Sequence, residues 1–330
     1  MKKKILIIGF GTIAKVHFNI INKLLPNSKI KILQINEVKL KNSHYSKHYI
    51  FLNEITEFKP DLAVITNPSS LHLKYAIQMA KLGCDLFIEK PISNNLNLIK
   101  KFLDVVKKKR LIVNIGYNLR YLESLRVFKK KINSNILGKI LFVKSEVGQS
   151  LETWRKKLDY RISVSAKKKT GGGALLELSH EIDYLIWIFH NVSLVKSLIS
   201  KQSNLKIDVE DSAHLILKII FNKNIIVSNL SIDFVRHDKT RLCTVIGERG
   251  TLRWNGVEGK VDFYSSKSKS WKTIIHKKNE MAESYKRQWG DFLKCVKSRK
   301  KSSIACVNDS IKVLKIIEDA KNNESKKITL

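Results

Sequence analysis

Gly9, Gly11 and Ala14 form the pattern G-x-G-x-x-A close to the start of the chain, and its chemistry is the holding of phosphate. The first glycine permits a tight turn and the second lets the backbone approach a pyrophosphate. The small third residue lets a helix pack closely on its strand. Amide N–H groups at that helix start face the phosphates, aided by the helix dipole. Alone the pattern is weak. Here it follows a continuous apolar run at residues 5–8 and precedes a helix-like stretch, which favours dinucleotide binding over a phosphate-free turn. The end of the second strand should read the adenosine ribose, and Gln34, Asn36 and Glu37 stand there. Asn36 can hydrogen-bond a ribose hydroxyl without repelling a 2′-phosphate, whereas Glu37 reads equally well as an exposed loop residue. No arginine stands in this loop, which favours NAD, while Lys39 and Lys41 keep NADP open.

A second set of residues could move protons and hold a sugar. His180 follows the run Gly171-Gly172-Gly173, a helix start, with Glu177 three residues before it and Asp183 three after. Residues three apart share a helix face, and imidazole exchanges protons near neutral pH. A lone helical histidine is more often structural, so these neighbours carry the argument. Trp154, Arg155, Tyr160 and Arg161 cluster just ahead of the glycines, with Arg120 as a further candidate. Aromatic faces pack on sugar rings and arginines grip carboxylate or phosphate in bidentate fashion, so an anionic sugar fits them. The bland alternative is a solvated loop or a subunit contact.

The elements that must position these residues fall into two regimes. Apolar runs at 5–8, 30–35, 62–66, 85–88 and 111–116 alternate with helical patterns to about 25, at 72–82 and at 96–109. Such alternation predicts a doubly wound α/β domain. After a strand at 140–147 and a helix running from the glycines through 189, strand-like runs at 195–200, 212–221, 224–234, 241–247 and 250–254 follow without helices between them. Helices at 285–297 and 306–321 close the chain. The predicted fold class is α/β, an N-terminal doubly wound Rossmann domain (residues 1–119, NAD(P)-binding) plus a C-terminal α+β domain (120–330, substrate-binding and oligomerisation). The second domain carries a large, mostly antiparallel sheet.

The Gly9 motif, Asn67-Pro68 with His72, Glu89-Lys90-Pro91 at a strand end, Gly116-Tyr117-Asn118-Leu119-Arg120, and the glycine run leading to His180-Glu181-Ile182-Asp183 together resemble one family. It is the glucose–fructose oxidoreductase, inositol dehydrogenase and rhizopine-catabolism (Gfo/Idh/MocA) family, and the likeness extends over essentially the whole chain. The stretch from Glu146 through Arg161 is similar to a branch linked to surface-polysaccharide or amino-sugar biosynthesis. The resemblance implies an NAD(P)-dependent oxidoreductase that moves a hydride between nicotinamide and a hydroxyl or carbonyl carbon of a sugar, sugar nucleotide or polyol. A catalytically silent nucleotide-binding regulator of the same fold is the alternative. It implies Lys90 as the central catalytic lysine, its ammonium stabilising the developing oxyanion. His180 and Asp183 would be its acid–base partners, and Glu89 would orient Lys90 while Pro91 fixes the turn. Cofactor contacts are implied at Gly9, Phe10, Gly11, Thr12, Ile13, Asn36, Thr66, Asn67, Pro68, His72, Glu89, Lys90 and Asn118, although capping or packing outweighs chemistry for His72. Substrate contacts are implied at Arg120, Trp154, Arg155, Tyr160, Arg161, Glu177, His180 and Asp183. The family often places an acid four residues before the histidine. Here Leu176 holds that place and Glu177 stands three before, which departs from a strict acid–histidine pair.

Composition adds limits. The formal charge is +33, yet only eleven of the 62 basic residues are arginine and the lysines are scattered. Together with the abundance of Ile and Asn, this reads as compositional drift at the surface that also attracts anionic substrates. No nucleic-acid motif accompanies it, so no nucleic-acid partner is expected. The cysteines Cys84, Cys243, Cys295 and Cys306 show neither zinc spacing nor a disulfide framework, so no metal site and a cytoplasmic location are expected. Lys2 to Lys4 before an apolar stretch imitates a signal peptide, but Gly9, Gly11 and Lys15 interrupt it. No membrane association is expected, and a homo-oligomer, dimer or tetramer, is implied by the family.

Overall fold

The computed structural model describes residues 2–33, 48–154 and 159–323. Asn36, its neighbours Gln34, Glu37, Lys39 and Lys41, and Arg155 lie outside the described residues. The strands are β1 (Lys4–Ile8), β2 (Lys29–Leu33), β3 (Tyr49–Ile50), β4 (Leu62–Ile65), β5 (Asp85–Ile88), β6 (Val113–Ile115), β7 (Ile140–Gly148), β8 (Asn191–Ser200), β9 (Ser212–Phe221), β10 (Asn224–Asp233), β11 (Thr240–Gly247), β12 (Gly250–Asn255), β13 (Lys260–Ser265) and β14 (Ser270–His276). The helices are α1 (Thr12–Leu24), α2 (Ile55–Phe58), α3 (His72–Lys81), α4 (Ile99–Lys108), α5 (Glu123–Asn133), α6 (Ala174–Glu177), α7 (His180–Phe189), α8 (Met281–Ser298) and α9 (Val307–Asn323).

Two compact units form. The first comprises 1–117 with 285–311, and the second 118–284 with 312–330. Against the expected boundary at 119/120, Asn118 and Leu119 go with the second unit, and the chain returns to the first through most of α8 and the start of α9.

The first unit is a parallel six-stranded sheet in the order β3-β2-β1-β4-β5-β6. Ile5 to Ile8 are wholly buried, as the unbroken apolar run requires of a strand covered on both faces. Helix α1 buries Ala14, His17, Phe18, Ile20 and Ile21 against β1, β2 and β4. Trp289 and Phe292 of α8 complete that core, and Trp289 stacks on Phe87 of β5 at 4.9 Å between ring centroids. The strand order reverses between β1 and β4, and ligands of such sheets bind beyond the carboxyl ends of the strands at that point.

The second unit is built on an eight-stranded sheet, β14-β13-β12-β11-β7-β10-β9-β8, antiparallel throughout except where β7 meets β10. Strands β9 and β10 alternate, with Leu215, Leu217, Ile219, Ile226, Leu230 and Ile232 inward and Ile216, Ile220, Ile225 and Val227 exposed. α7 is buried along its length after His180, where Tyr184 meets Trp254 edge-to-face. The helix expected to run from the glycines through residue 189 is two helices, broken at Leu178 and Ser179.

Candidate active site

In the first unit the glycine turn is held by the end of β4. Gly9 has φ +86°, and a Cβ there would lie 2.7 Å from the Asn67 backbone, so only glycine fits. The Thr66 hydroxyl lies 3.0 Å from the Ile8 carbonyl and 2.7 Å from that of Gly9, tying the two strand ends together. Phe10 packs edge-on against Phe18 and Tyr49. Gly11 caps α1 with open space where its Cβ would stand. Thr12 is exposed beside it, Ile13 is half-buried, and no acidic residue occupies the first turn. This is an open cradle of backbone N–H groups that suits a dinucleotide pyrophosphate.

Asn67, just beyond β4, is buried, and neither its amide nitrogen nor its oxygen has a partner among the described residues. A buried primary amide without partners is costly, and a bound nicotinamide dinucleotide fits as the group that satisfies it. Pro68 leads into a short 3₁₀ turn at Ser69–Leu71. His72 is fully enclosed, with Nδ1 2.8 Å from the Pro91 carbonyl and Nε2 2.8 Å from that of Asn67. It therefore clamps the turn after β4 to the turn after β5. Burial holds its pKa below the ordinary 6.5, with the two carbonyls pulling the other way. Both ring nitrogens of His72 are thus taken up by backbone carbonyls.

Lys90 stands at the end of β5, half-buried, and the Lys90–Pro91 peptide bond is cis. The Glu89 carboxylate accepts the Lys90 backbone N–H at 3.2 Å, while its other oxygen lies 2.7 Å from His17 Nε2. His17 Nδ1 in turn accepts the Trp289 indole N–H at 2.9 Å. Neither His17 nor Trp289 was legible as a site residue. The available signal was a polar side chain on the buried stripe of α1, which obliges a partner.

The second unit arranges the remaining candidates. Within 171–189 only Glu177 and His180 reach solvent. They are the last residue of α6 and the first of α7, so the helix break separates them and they do not share one helix face. Gly172 and Gly173 are explained by packing. A Cβ at either would fall 2.5 Å from the Ser165 carbonyl or 2.4 Å from the Glu210 carboxylate, which itself accepts the Leu175 N–H at the start of α6.

Asp183 does not face outward with His180. It is wholly buried and grips Arg120 in bidentate fashion, at 2.9 Å from Nε and 2.7 Å from Nη2. Arg120 is equally enclosed, so the structure pairs these two candidates with each other rather than presenting either to a substrate. The Asn118 amide donates to Ser284 at 2.9 Å and is buried as well. Tyr160 accepts the Lys206 backbone N–H. Arg161 is exposed and paired with Asp159, whose carboxyl the guanidinium holds below the usual range. Trp154 meets Phe234 edge-to-face, and its indole N–H is buried without a partner among the described residues.

Comparison with known proteins covers both parts of the chain. Residues 3–117 match the oxidoreductase family's NAD-binding Rossmann fold, and residues 129–330 match its C-terminal alpha/beta domain. Glucose-6-phosphate 3-dehydrogenase of Bacillus subtilis is 26% identical over 204 residues, 61% of this chain and 58% of that protein. The match thus spans less than two thirds of that relative. Oxidoreductase P35 of Formosa agariphila is 24% identical over 290 residues, covering 84% of this chain and 83% of the relative. The WlbA dehydrogenase from Bordetella pertussis, solved with NADH and UDP-GlcNAcA, superposes with a TM-score of 0.81 at 18% identity, covering 99% of this chain and 97% of that one. With both of its sequence profiles matched in order along the chain, this protein belongs to the Gfo/Idh/MocA oxidoreductase family.

Proposed function

We propose that the chain is an NAD-dependent dehydrogenase or reductase acting on a CH–OH group of a sugar that bears an anionic group. The observation that carries this reading is the open Gly9–Gly11 cradle beside the unsatisfied buried amide of Asn67. When bound, the nicotinamide supplies the hydride acceptor or donor. The chain's residues handle the rest. Backbone N–H groups of the first turn of α1 bind the pyrophosphate. The Lys90 ammonium hydrogen-bonds the reacting oxygen and favours its anionic character as the carbonyl forms. His180, among the few accessible positions of its segment, exchanges the released proton with solvent. Anionic character of the substrate is supported by the excess of basic residues, by the phosphate in the name of glucose-6-phosphate 3-dehydrogenase and by the UDP-GlcNAcA bound to the WlbA dehydrogenase.

Nicotinamide fluorescence titrated with NADH and NADPH, followed by turnover on sugar phosphates, uronates and nucleotide-linked sugars, tests this. NADH is expected to bind more tightly than NADPH, and an anionic sugar to turn over faster than its neutral counterpart. Binding of neither nucleotide would overturn the reading.

Free thiols support a cytoplasmic setting. Cys84, Cys243 and Cys295 are unpaired and enclosed, and burial pushes the first two up to about 12. Among the described residues no helix is long and apolar enough to cross a membrane. The exposed face of β9 and β10, where Ile220 pairs with Ile225, supports a homo-oligomer. Light scattering of the purified protein is expected to give twice or four times the chain mass, and a monomer would refute the assembly.

A further inference from the structure

We infer that Trp289 and His17 are positioning residues that act on Lys90 through Glu89. The indole N–H of Trp289 can only donate, so His17 Nδ1, 2.9 Å away, must offer its lone pair. The ring proton then sits on Nε2 and is donated to Glu89 at 2.7 Å. The tautomer is set by geometry, and His17 is fully buried, so no water competes for either nitrogen.

Each end of this chain is itself immobilised. Trp289 stacks on Phe87 with 7° between the rings and meets Phe292 edge-on at 5.6 Å, so the indole N–H has a fixed direction. Glu89 follows Phe87 by two residues on the same side of an extended chain, which brings its carboxylate to the His17 side. Gly116 leaves the space that carboxylate fills, since a Cβ there would come within 2.8 Å of Cδ and Oε1. The second Glu89 oxygen holds the backbone N–H of Lys90. A buried carboxylate held between an imidazole and a peptide N–H fixes the main chain from which the Lys90 side chain departs. Without the indole donor, His17 Nδ1 loses its partner, the imidazole is held at Nε2 alone, and the direction of its bond to Glu89 is no longer fixed.

The inference rests on the dehydrogenase reading above for its activity readout only. Trp289→Phe keeps the ring stacking and removes the N–H. It is expected to lower kcat about tenfold, the equivalent of one neutral hydrogen bond. The affinity for NADH should stay within about twofold, since no atom of the phosphate cradle changes. His17→Gln can still accept from the indole and donate to Glu89, and should retain several-fold more activity than His17→Leu. Independently of turnover, nitrogen NMR of ¹⁵N-histidine-labelled protein should show His17 protonated on Nε2 alone in the wild type, and in Trp289→Phe an Nδ1 resonance shifted toward that of a nitrogen that accepts no hydrogen bond. An unchanged His17 signal in Trp289→Phe would overturn the indole's hold on His17, and a changed signal with unaltered kcat would overturn the positioning role. A wild-type protein that turns over no sugar would count against the dehydrogenase reading, and the His17 signal would still decide that hold.

Discussion

Lys90→Met is expected to lower turnover by about 10²–10⁴-fold while NADH binding stays within about threefold of the wild type. The substitution keeps the length and the aliphatic stem of the side chain and removes only the ammonium. Glu89 touches the Lys90 backbone N–H, which the variant retains, so the end of β5 should hold its course. On the proposed mechanism, the lost term is stabilisation of negative charge on the reacting oxygen, which arises only as the carbonyl forms or is reduced. Lys90→Arg should rescue poorly. Guanidinium spreads its charge over a planar fork and cannot place one compact donor where the ammonium stood. Measuring kcat and the NADH dissociation constant on the same preparations separates these effects. A Lys90→Met enzyme with kcat within threefold of the wild type would remove Lys90 from the chemistry.

What could be read ahead of the structure followed from periodicity that burial enforces. β1 is an unbroken apolar run because both faces are covered, and β9 and β10 alternate because one face is. β13 and β14 gave no such pattern. Their residues are largely half-buried or exposed, as in Ser270–His276, so neither period two nor an apolar run marks them. The glycine cradle was legible because phosphate binding needs particular residues at particular spacing. The chain from Trp289 to Glu89 was not, since its members stand 272 and 72 positions apart and Trp289 reaches His17 through the return of α8 to the first unit. Spacing also misled at one point. His180 and Asp183 are three residues apart, yet Asp183 turns inward to Arg120 while His180 stays accessible, because a buried guanidinium demands a carboxylate.

That pairing makes the second large effect one of stability rather than chemistry. Asp183→Asn is expected to cost about 3–5 kcal/mol of unfolding free energy, because it removes the carboxylate that grips the enclosed Arg120 guanidinium on two nitrogens. Arg120 is 1% exposed and Asp183 0%, so neither can recover solvent without opening the segment between α7 and the 3₁₀ turn Asn118–Tyr121. The Trp187 ring, with the guanidinium carbon 6.0 Å from its centroid, makes a contact at the edge of cation–π range that is too weak to replace the lost carboxylate. The double variant Arg120→Leu with Asp183→Leu should be markedly more stable than Asp183→Asn, since it removes both buried charges and keeps apolar volume. Denaturant unfolding of the single and double variants measures the coupling directly. If Asp183 were instead the proton partner of His180, Asp183→Asn would unfold at the wild-type midpoint and lose turnover. Stability within about 1 kcal/mol of the wild type, with kcat collapsed, would therefore sink the structural assignment. The expected result is the reverse order of failure. Folding is compromised first, and any well-folded fraction of Asp183→Asn retains a nicotinamide site, because the Gly9 cradle and Asn67 belong to the other unit.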